Sequence, residues 1–287
     1  MVLCWAKTQF CSWTVIKRDN EDYMKIDNKI VWITGASNGI GRQLAIDFAR
    51  RNCRLILSSR NRNKLEQTKQ LCAGFTKDVY VLPLDLEDTD SLKKHTQEAI
   101  AVFGKIDILI NCGGISQRSL ILDTDISVDR KLMEVDYLGT IALSKALLPH
   151  FIQNKSGLYV VISSVMGKYG SPYRSGYCGA KHALHGFFDV LRMEHEKDGV
   201  RVTIICPGFV NTDVTRNALT GDGSALGRQD EKTAHGLRVE DFSERMIRAV
   251  EREKYEAYIG GKEAKAVYIK RLFPRLLHRI VMKSKVR

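Results

Sequence analysis

The sequence predicts a doubly wound α/β fold, in which a single Rossmann-type parallel sheet has helices on both faces. Short apolar, β-branched runs recur along the chain, and stretches with the 3.6-residue period of amphipathic helices separate them. Near-continuous apolar runs indicate strands that are buried on both faces, as in parallel sheets. The predicted strands cover residues 30–33, 55–57, 79–82, 106–110, 158–162 and 202–205.

A single domain carries these elements. The 287 residues are 44% hydrophobic and 27% charged with only 5 prolines, which is typical of globular proteins and not of disordered or collagen-like chains. The alternation of strands and helices meets no Pro/Gly linker before Gly260. We therefore predict a Rossmann-type domain over residues 25–261 with a polar, glycine-containing loop over 213–235. Residues 1–24 form an N-terminal extension to which we assign no role, and residues 262–287 form a tail.

The first strand runs directly into the sequence TGASNGIG, and a helix is predicted to begin near Arg42. Glycines let the backbone turn sharply and approach a pyrophosphate, which the free N–H groups and the dipole of the following helix attract. At the first strand-to-helix junction of a parallel sheet, such a turn favours dinucleotide binding over a plain tight loop. The residues predicted to contact the dinucleotide are Gly35, Ser37, Asn38, Gly39, Ile40 and Gly41.

The second strand ends at Ser59 and Arg60, where an NAD-preferring site would carry an acidic residue for the ribose hydroxyls. Arg60 instead supplies a cation for a 2′-phosphate, so the sequence favours NADP(H) over NAD(H). The alternative is that Arg60 only begins an exposed helix. The ends of the third and fourth strands, where the adenine and its ribose would lie, carry Asp85, Leu86, Asn111 and Gly113.

The fifth strand is followed by Ser164, and thirteen positions later come Tyr177 and then Lys181, which share one helix face. A segment PGFVNT follows the sixth strand at residues 207–212. Together with the glycine turn, these motifs make the chain resemble the short-chain dehydrogenase/reductase superfamily over about residues 25–260. The stretches NCGGISQRSL and GYCGAKHALHGFF look most like the animal dehydrogenase/reductase member 7 group and its bacterial relatives.

The resemblance implies that Tyr177 is the general acid/base, that Lys181 holds the cofactor ribose and that Ser164 orients the substrate oxygen. General chemistry agrees, because an isolated tyrosine with a pKa of about 10 is a poor base near neutrality and a neighbouring ammonium favours the phenolate. The resemblance also places Thr212 against the nicotinamide carboxamide. The cofactor-binding residues that it implies after the sixth strand are Pro207, Gly208, Val210 and Thr212.

Two positions depart from the family pattern. The fourth catalytic position, usually Asn in the helix after the fourth strand, is Asp136, which keeps acceptor oxygens and loses the amide donor. A carboxylate near Lys181 would hold its charge while opposing formation of a tyrosine phenolate, so its effect on the rate has either sign. We predict an active enzyme that tolerates Asp136. The second Asn of the usual N-N-x-G is Cys112.

Charge is concentrated in the tail. Residues 262–287 hold nine basic residues and one acidic residue, a net charge of +8 out of the formal +12. A nearly neutral body without a recognisable nucleic-acid motif argues against a nucleic-acid partner. The tail also carries apolar residues that Pro274 interrupts. It therefore fits two roles, contact with a membrane interface or packing on the body or a second subunit.

The 7 cysteines are scattered and never form a C-x-x-C pair, which indicates reduced thiols in a reducing compartment. The 7 histidines include no H-E-x-x-H motif, and we predict no metal site. No stretch is apolar enough for a transmembrane helix or organised like a signal peptide. We expect an intracellular protein that is cytoplasmic or peripherally membrane-associated, with the endoplasmic reticulum as one compatible site.

The predicted function is an NADP-dependent oxidoreductase that acts on an alcohol or carbonyl compound. The alternative is a non-catalytic, dinucleotide-binding regulatory protein of the same fold, which Asp136 favours and the intact Ser164, Tyr177 and Lys181 disfavour. Phe209 and neighbouring apolar residues of the late loop indicate a partly apolar substrate pocket. Members of the resembled group act on lipophilic carbonyls such as steroids and retinoids, and the resemblance implies a homodimer or homotetramer.

Overall fold

The computed structural model describes residues 24–284, so the predicted N-terminal extension lies outside the described residues except for Met24. Its strands are β1 (Ile30–Thr34), β2 (Arg54–Ser58), β3 (Val79–Val81), β4 (Ile108–Asn111), β5 (Gly157–Ile162), β6 (Val200–Pro207) and β7 (Glu256–Ile259). All neighbouring strands pair in parallel, in the order β3-β2-β1-β4-β5-β6-β7. The predicted doubly wound α/β fold is therefore confirmed.

Helices connect the strands and cover both faces of the sheet. They are α1 (Gly39–Ala49), α2 (Arg62–Cys72), α3 (Leu92–Phe103), α4 (Ile126–Met133), α5 (Gly139–Gln153), α6 (Ser175–His195), α7 (Glu231–Ala234), α8 (Val239–Glu251), α9 (Lys262–Leu272) and α10 (Pro274–Lys283). A π-helical turn, Glu134–Leu138, joins α4 to α5. Such turns are frequent at functional sites, and this one carries Asp136.

Two apolar cores hold these helices on the sheet. On one face α1, α2 and α8 pack against the strands, with Phe48 and Phe242 fully buried. On the other face α3, α5 and α6 do the same, with Phe151 and Phe188 fully buried. Each large apolar side chain removed from water contributes about 1.5–3 kcal/mol to folding. The strands that contact both cores therefore stabilise the sheet.

The first helix begins earlier than the sequence predicts. α1 starts at Gly39, three residues before Arg42, because the Asn38 side chain accepts a hydrogen bond from the Gly39 N–H at 2.8 Å. Asn is among the preferred N-cap residues because its side-chain oxygen satisfies a free backbone donor. The cap therefore lies inside the glycine turn and not after it.

The edge strand β7 is absent from the predicted strands. Its sequence EAYI is short, and only Ala257 and Ile259 are buried. As an edge strand it pairs with β6 alone, so it needs no continuous apolar run. No other strand of residues 24–284 pairs with the far side of β7.

The order of the strands reverses at β1, which lies between β2 and β4. The connections that leave these strands diverge there, and a crevice opens at the carboxyl ends of the strands. Thr34 ends β1 and Asn111 ends β4, so the glycine turn and the residues after β4 share this crevice.

The predicted loop over 213–235 contains α7 and folds back over the site. Leu219 forms a parallel bridge with Gln117 and an antiparallel bridge with Ala225. The tail forms the two helices α9 and α10, and α10 begins at Pro274, where a missing N–H costs nothing. Across residues 24–284, every helix is too short or too polar to cross a bilayer.

Candidate active site

The glycine turn after β1 leaves no room for side chains. Gly35 has a φ of +67°, and a Cβ there would lie 2.8 Å from the Cys112 carbonyl oxygen. A Cβ on Gly41 would lie 2.3 Å from the Gly35 carbonyl oxygen. The turn therefore packs directly on α1, where the Asn38 side chain already accepts from the Gly39 N–H and the following N–H groups remain for an anion. Ser37, Asn38 and Ile40 are partly exposed on the same turn.

Thr34, which the sequence analysis did not single out, joins the ends of β1 and β4. Its Oγ1 accepts hydrogen bonds from the N–H groups of Cys112 and Gly113, both at 3.0 Å. Nearby, the Nδ2 of Asn111 donates to the Ser144 Oγ at 3.0 Å. The Asn111 Oδ1 is buried and has no hydrogen-bond partner within the described chain. An unsatisfied buried oxygen of this kind is uncommon in folded proteins and is found at functional sites.

The third strand also contributes to this wall. Leu86 is 7% exposed, and its Cδ1 would lie 2.7 Å from a Cβ on Gly113. Asp85 is partly exposed, and its Oδ1 accepts a hydrogen bond from the Glu87 N–H at 3.1 Å. The structure thus places Leu86 and Gly113 in contact, as the sequence predicts for one binding surface.

Ser59 and Arg60 lie at the end of β2, beside the glycine turn. The Ser59 Oγ is buried and has no hydrogen-bond partner within residues 24–284. Arg60 is exposed and forms no ion pair among these residues. It directly precedes Asn61, the N-cap of α2. The position of Arg60 therefore also fits the alternative, an arginine that only begins an exposed helix. An exposed guanidinium is a donor that a phosphate can use, whereas the Ser59 hydroxyl is not exposed to solvent.

The segment after β6 crosses the N-terminus of α1. The Thr212 Cγ2 would lie 3.2 Å from a Cβ on Gly39, so Thr212 lies against the glycine turn. The Glu263 Oε1 accepts hydrogen bonds from the Phe209 N–H at 3.0 Å and the Gly261 N–H at 2.8 Å. Glu263 thereby holds the segment that follows Pro207, a role the sequence analysis missed. The sequence offers a signal for this role, because Glu263 is the single acidic residue of the basic tail.

A cavity opens between α1 and this segment. Its lining residues are Asn38, Gly39, Arg42, Gln43, Asn211, Thr212, Asp213, Val239 and Glu240. The Asn38 Nδ2 donates to the Asp213 Oδ2 at 3.2 Å, across the mouth of the cavity. Arg42 adds a cation that the sequence analysis did not assign. Because it lies in the first turn of α1, it strengthens the attraction of this end for a phosphate.

Ser164, Tyr177 and Lys181 meet at the end of β5. Ser164 caps a 3₁₀ turn, Val165–Gly167, and its Oγ accepts a hydrogen bond from the Met166 N–H at 3.1 Å. Tyr177 and Lys181 lie one turn apart on α6, which packs against this 3₁₀ turn. The Lys181 Nζ lies 5.7 Å from the centre of the Tyr177 ring. The structure therefore brings the three predicted catalytic residues to one place.

Asp136 contacts Lys181 from the π-helical turn. Its Oδ2 lies 3.5 Å from the Lys181 Nζ, and its Oδ1 accepts a hydrogen bond from the Ile115 N–H at 2.7 Å. Burial raises the pKa of Asp136, and neither Lys181 nor the Ile115 N–H fully offsets that effect. Burial alone would lower the pKa of Lys181, but the attraction of Asp136 raises it. The ammonium also donates to the Ile162 carbonyl oxygen at 3.2 Å, so Lys181 is held on two sides.

Gln117 fixes the start of the helix that carries Tyr177, and the sequence analysis missed it. The side chain is fully buried, and its Oε1 accepts hydrogen bonds from the Gly176 N–H at 2.9 Å and the Tyr177 N–H at 3.4 Å. Its Nε2 donates to three hydroxyls, those of Ser119, Thr124 and Ser175. A buried amide with both ends satisfied fixes one orientation of the helix end.

Next to Ser163 lies a group formed by the buried His185 and Cys206 and the partly exposed Glu256, whose ligand atoms fall within 4.8 Å of one another. The Lys168 Nζ lies 2.7 Å from the Glu256 Oε1 and supplies the cation for this carboxylate. The Ser163 Oγ lies 2.9 Å from the His185 Nε2. Burial lowers the pKa of His185 to about 4, so its ring is neutral near pH 7. The absence of a metal site stays a prediction.

Comparisons with known proteins fit this geometry. The family model described as short chain dehydrogenase matches residues 29–223. The chain is 40% identical over 268 residues to the Drosophila melanogaster dehydrogenase/reductase SDR family protein 7-like, covering 92% of this chain and 82% of the relative. It is 40% identical to the Mus musculus SDR family member 7B, over 88% of this chain and 80% of the relative. It is 45% identical to the Homo sapiens SDR family member 7, over 69% of this chain and 60% of the relative.

The match to the family model spans the glycine turn, the Tyr177 and Lys181 pair and the segment after β6. It agrees with the all-parallel sheet. The chain therefore belongs to the short-chain dehydrogenase/reductase family, within the group of the member 7 proteins.

Proposed function

We propose that this oxidoreductase uses NADP(H) in preference to NAD(H) and acts on a lipophilic alcohol or carbonyl compound. Membership of the family makes it an enzyme of CH–OH and C=O groups that binds a nicotinamide dinucleotide. The preference rests on one observation, the exposed Arg60 guanidinium, which forms no ion pair among residues 24–284 and follows the end of β2. A 2′-phosphate accepts hydrogen bonds from a guanidinium, whereas the ribose hydroxyls of NAD(H) have no carboxylate there.

The chain's own residues account for the proton chemistry. When bound, the nicotinamide exchanges a hydride with the substrate carbon. In reduction the Tyr177 Oη delivers a proton to the substrate oxygen, and in oxidation it removes that proton. The Ser164 Oγ donates a hydrogen bond to the same oxygen as negative charge develops on it. The Lys181 ammonium offsets the charge that Tyr177 acquires when its proton leaves.

A lipophilic substrate is supported by the apolar side chains near this oxygen position. Phe209, Leu219 and Leu226 are partly exposed on the segment after β6 and on the 213–235 loop. Ligand pockets bury most of a small molecule against such side chains and orient it with few polar groups. Here Ser164 and Tyr177 are the polar groups, so a single oxygen on an otherwise apolar substrate satisfies the site.

Cofactor titration tests the proposal. We expect NADPH to bind more tightly than NADH, and Arg60→Ala to reduce that difference by about 1–3 kcal/mol, the size of a charge-assisted contact. The matched control is Arg62→Ala, because Arg62 is also exposed but already lies 3.8 Å from Glu66. Equal affinities in the unmodified chain, or the same loss from both variants, would overturn the NADP preference.

We further propose a homodimer or homotetramer in an intracellular, reducing compartment. On α6, Val190 and Met193 are 46% and 70% exposed, and a subunit contact along that helix would cover them. The cysteines of the described chain are all free thiols, which a reducing compartment maintains. Sedimentation velocity of the unmodified chain tests the assembly, and a concentration-independent monomer would contradict it.

A further inference from the structure

Helix α10 is amphipathic, but only one edge of its apolar face packs on the body. Leu277 is 3% exposed and belongs to the core beneath α6, and Val281 contacts the same core. The remaining apolar residues of that face recur at intervals of three and four, as positions on one side of a helix do. They are Phe273, Leu276 and Ile280, which are 61%, 49% and 45% exposed.

Helix α9, which directly precedes α10, also exposes large apolar side chains. Its buried residues Ala264, Ala266 and Val267 face the core, while Tyr268 and Leu272 are 61% and 70% exposed. We call the exposed set the tail surface, defined by Tyr268, Leu272, Phe273, Leu276 and Ile280. Five large apolar side chains in thirteen consecutive residues exceed the scattered exposure that monomeric proteins show.

The tail surface is bordered by positive charge without any compensating carboxylate. Its exposed basic residues are Lys265, Lys270, Arg271, Arg275, Arg279 and Lys283. None of them forms an ion pair within the described chain. The single acidic residue, Glu263, points inward and binds the Phe209 and Gly261 N–H groups. The exposed residues of α9 and α10 therefore include no carboxylate that would offset these cations.

We propose that the tail surface binds an anionic lipid bilayer. Apolar side chains enter the boundary between head groups and acyl chains, while flanking Lys and Arg meet the negative head groups. A second copy of this chain fits poorly, because a symmetric contact would bring identical rows of cations together. A nucleic-acid backbone would match the charge and would leave the apolar side chains uncovered.

The position of the tail surface connects it with the active site. The Tyr169 hydroxyl donates to the Glu263 carbonyl oxygen at 3.0 Å, and Tyr169 follows the 3₁₀ turn that Ser164 caps. Since α9 has 11 residues, the membrane contact begins within about 16 Å of the segment that Glu263 holds. This part of the inference rests on the proposed function, because a bilayer would supply the lipophilic substrate close to the site.

Sedimentation with vesicles tests the proposal on the full chain without substrate. We expect the protein to pellet with phosphatidylcholine vesicles that contain phosphatidylserine, less with pure phosphatidylcholine, and less as salt is added. Arg275→Gln with Arg279→Gln should lower the partition coefficient about thirtyfold, from roughly 1 kcal/mol per cation at an anionic surface. Leu276→Ser with Ile280→Ser should lower it at least about tenfold through lost apolar burial.

Matched controls separate this effect from general surface changes. Leu71 on α2 is 51% exposed, so Leu71→Ser removes a similar apolar side chain elsewhere, and Lys93→Gln with Lys94→Gln removes two exposed cations from α3. Both controls should keep full vesicle binding. Retained binding after Leu276→Ser with Ile280→Ser would indicate a plain polyanion contact and overturn the proposal.

Two further outcomes decide the matter. If the unmodified chain stays in the supernatant at low salt, or if tail-surface variants dissociate an oligomer in sedimentation velocity, the surface is not a lipid contact. Turnover of a water-soluble carbonyl should be equal in all variants, because none of them lies in the active site. An inactive chain that still binds vesicles would contradict the proposed function and leave the tail-surface inference intact.

Discussion

Asp136 is fully buried between a backbone donor and an ammonium. Its Oδ1 is satisfied by the Ile115 N–H, but its Oδ2 has no hydrogen-bond partner in the described chain and lies 3.5 Å from Lys181. A buried carboxylate is costly unless it is paired, which explains why burial raises the pKa of Asp136. Asn would keep the acceptor toward Ile115 and present an amide donor where Oδ2 now lies.

We expect Asp136→Asn to preserve or raise turnover and to move the pH optimum to a lower value. Removing a negative charge near Lys181 makes loss of the Tyr177 proton easier, and this sign follows from the repulsion between two anions. Turnover measured across pH for both forms checks this, with Tyr177→Phe as the inactive baseline. A tenfold loss on introducing Asn would show that the enzyme depends on the carboxylate itself.

The sequence singled out the candidate catalytic residues because each follows a strand or shares a helix face with its partner. Ser164 follows a predicted strand, and Tyr177 and Lys181 are four residues apart on one helix. Gln117 and Thr34 escaped notice because they act through backbone N–H groups far away in sequence. No local pattern marks such contacts, since they exist only after the strands have paired.

The 213–235 loop is held over the site by a buried charge cluster. The Arg118 Nη2 lies 3.0 Å from the Asp230 Oδ2, and the Arg174 Nη2 lies 3.9 Å from the same oxygen. Thr215 donates to this oxygen as well, at 3.0 Å. Burial, and then repulsion from Arg118, lower the pKa of Arg174 to about 10. The Asp230 carboxylate thus interacts with both guanidinium groups and holds the loop against them.

We expect Asp230→Asn to release the loop while the sheet stays folded. Removing one partner of a buried ion pair typically costs about 3–5 kcal/mol, because the remaining charge stays buried and unpaired. Limited proteolysis should then cleave faster at the exposed loop residues Arg216 and Arg228, and KM for the carbonyl substrate should rise while cofactor affinity changes little. The control is Asp222→Asn, an exposed carboxylate in the same loop. Equal cleavage rates in the unmodified chain and Asp230→Asn would contradict this role.

The pH dependence of this contact has a definite sign. Burial alone would raise the pKa of Asp230, but hydrogen bonds from Thr233 and Arg118 lower it below its usual value. Ionised Asp230 therefore stabilises the fold fully at pH values above the pKa that this residue has in the unfolded chain. The contribution is lost only as pH falls through the lower pKa of Asp230 in the folded chain. At neutral pH the loop contact is complete.

The sequence predicted the interior strands better than the edges and connections. Five of the six predicted runs form interior strands, whose two faces each meet a core. The sixth forms the edge strand β3, which was visible because its run is apolar throughout. β7 was not visible, since its run EAYI begins with an acidic residue and only two of its four residues are buried. The tail was predicted to be amphipathic, but the sequence left open whether it packs on the body. In the structure one side of the tail packs on the body and another side is exposed, since Leu277 is buried and Leu276 is exposed on the same helix.

The candidate site lies at the carboxyl edge of the sheet. The sheet separates the two apolar cores. The strand ends carry the glycine turn, Ser164 and the segment after β6, so the sheet fixes their relative positions. His185 joins α6 to this frame, because its Nε2 contacts Ser163 at 2.9 Å and its Nδ1 lies 3.5 Å from Glu256. A neutral buried histidine thus connects the catalytic helix with β5 and β7.

We expect the folded chain to lose stability as pH falls from about 6.5 to about 4. His185 has its pKa lowered from 6.5 to about 4, so unfolding lets it bind a proton throughout that range. The loss amounts to about 3 kcal/mol at most, at 1.36 kcal/mol per pKa unit. Denaturant unfolding at several pH values measures it, and His185→Gln should flatten this dependence. The exposed His182→Gln is the control, and an unchanged slope in His185→Gln would assign the effect to other groups.

Glu263 has a consequence for how the enzyme matures during synthesis. The ribosome releases the glycine turn and the catalytic helix long before residue 263, and the segment after β6 gains its Glu263 hydrogen bonds only then. Domains fold progressively as they emerge, so the glycine turn can form between β1 and α1 while the segment after β6 still lacks its Glu263 contacts. We therefore expect that segment to reach its final position only after the last strand and the first tail helix have docked.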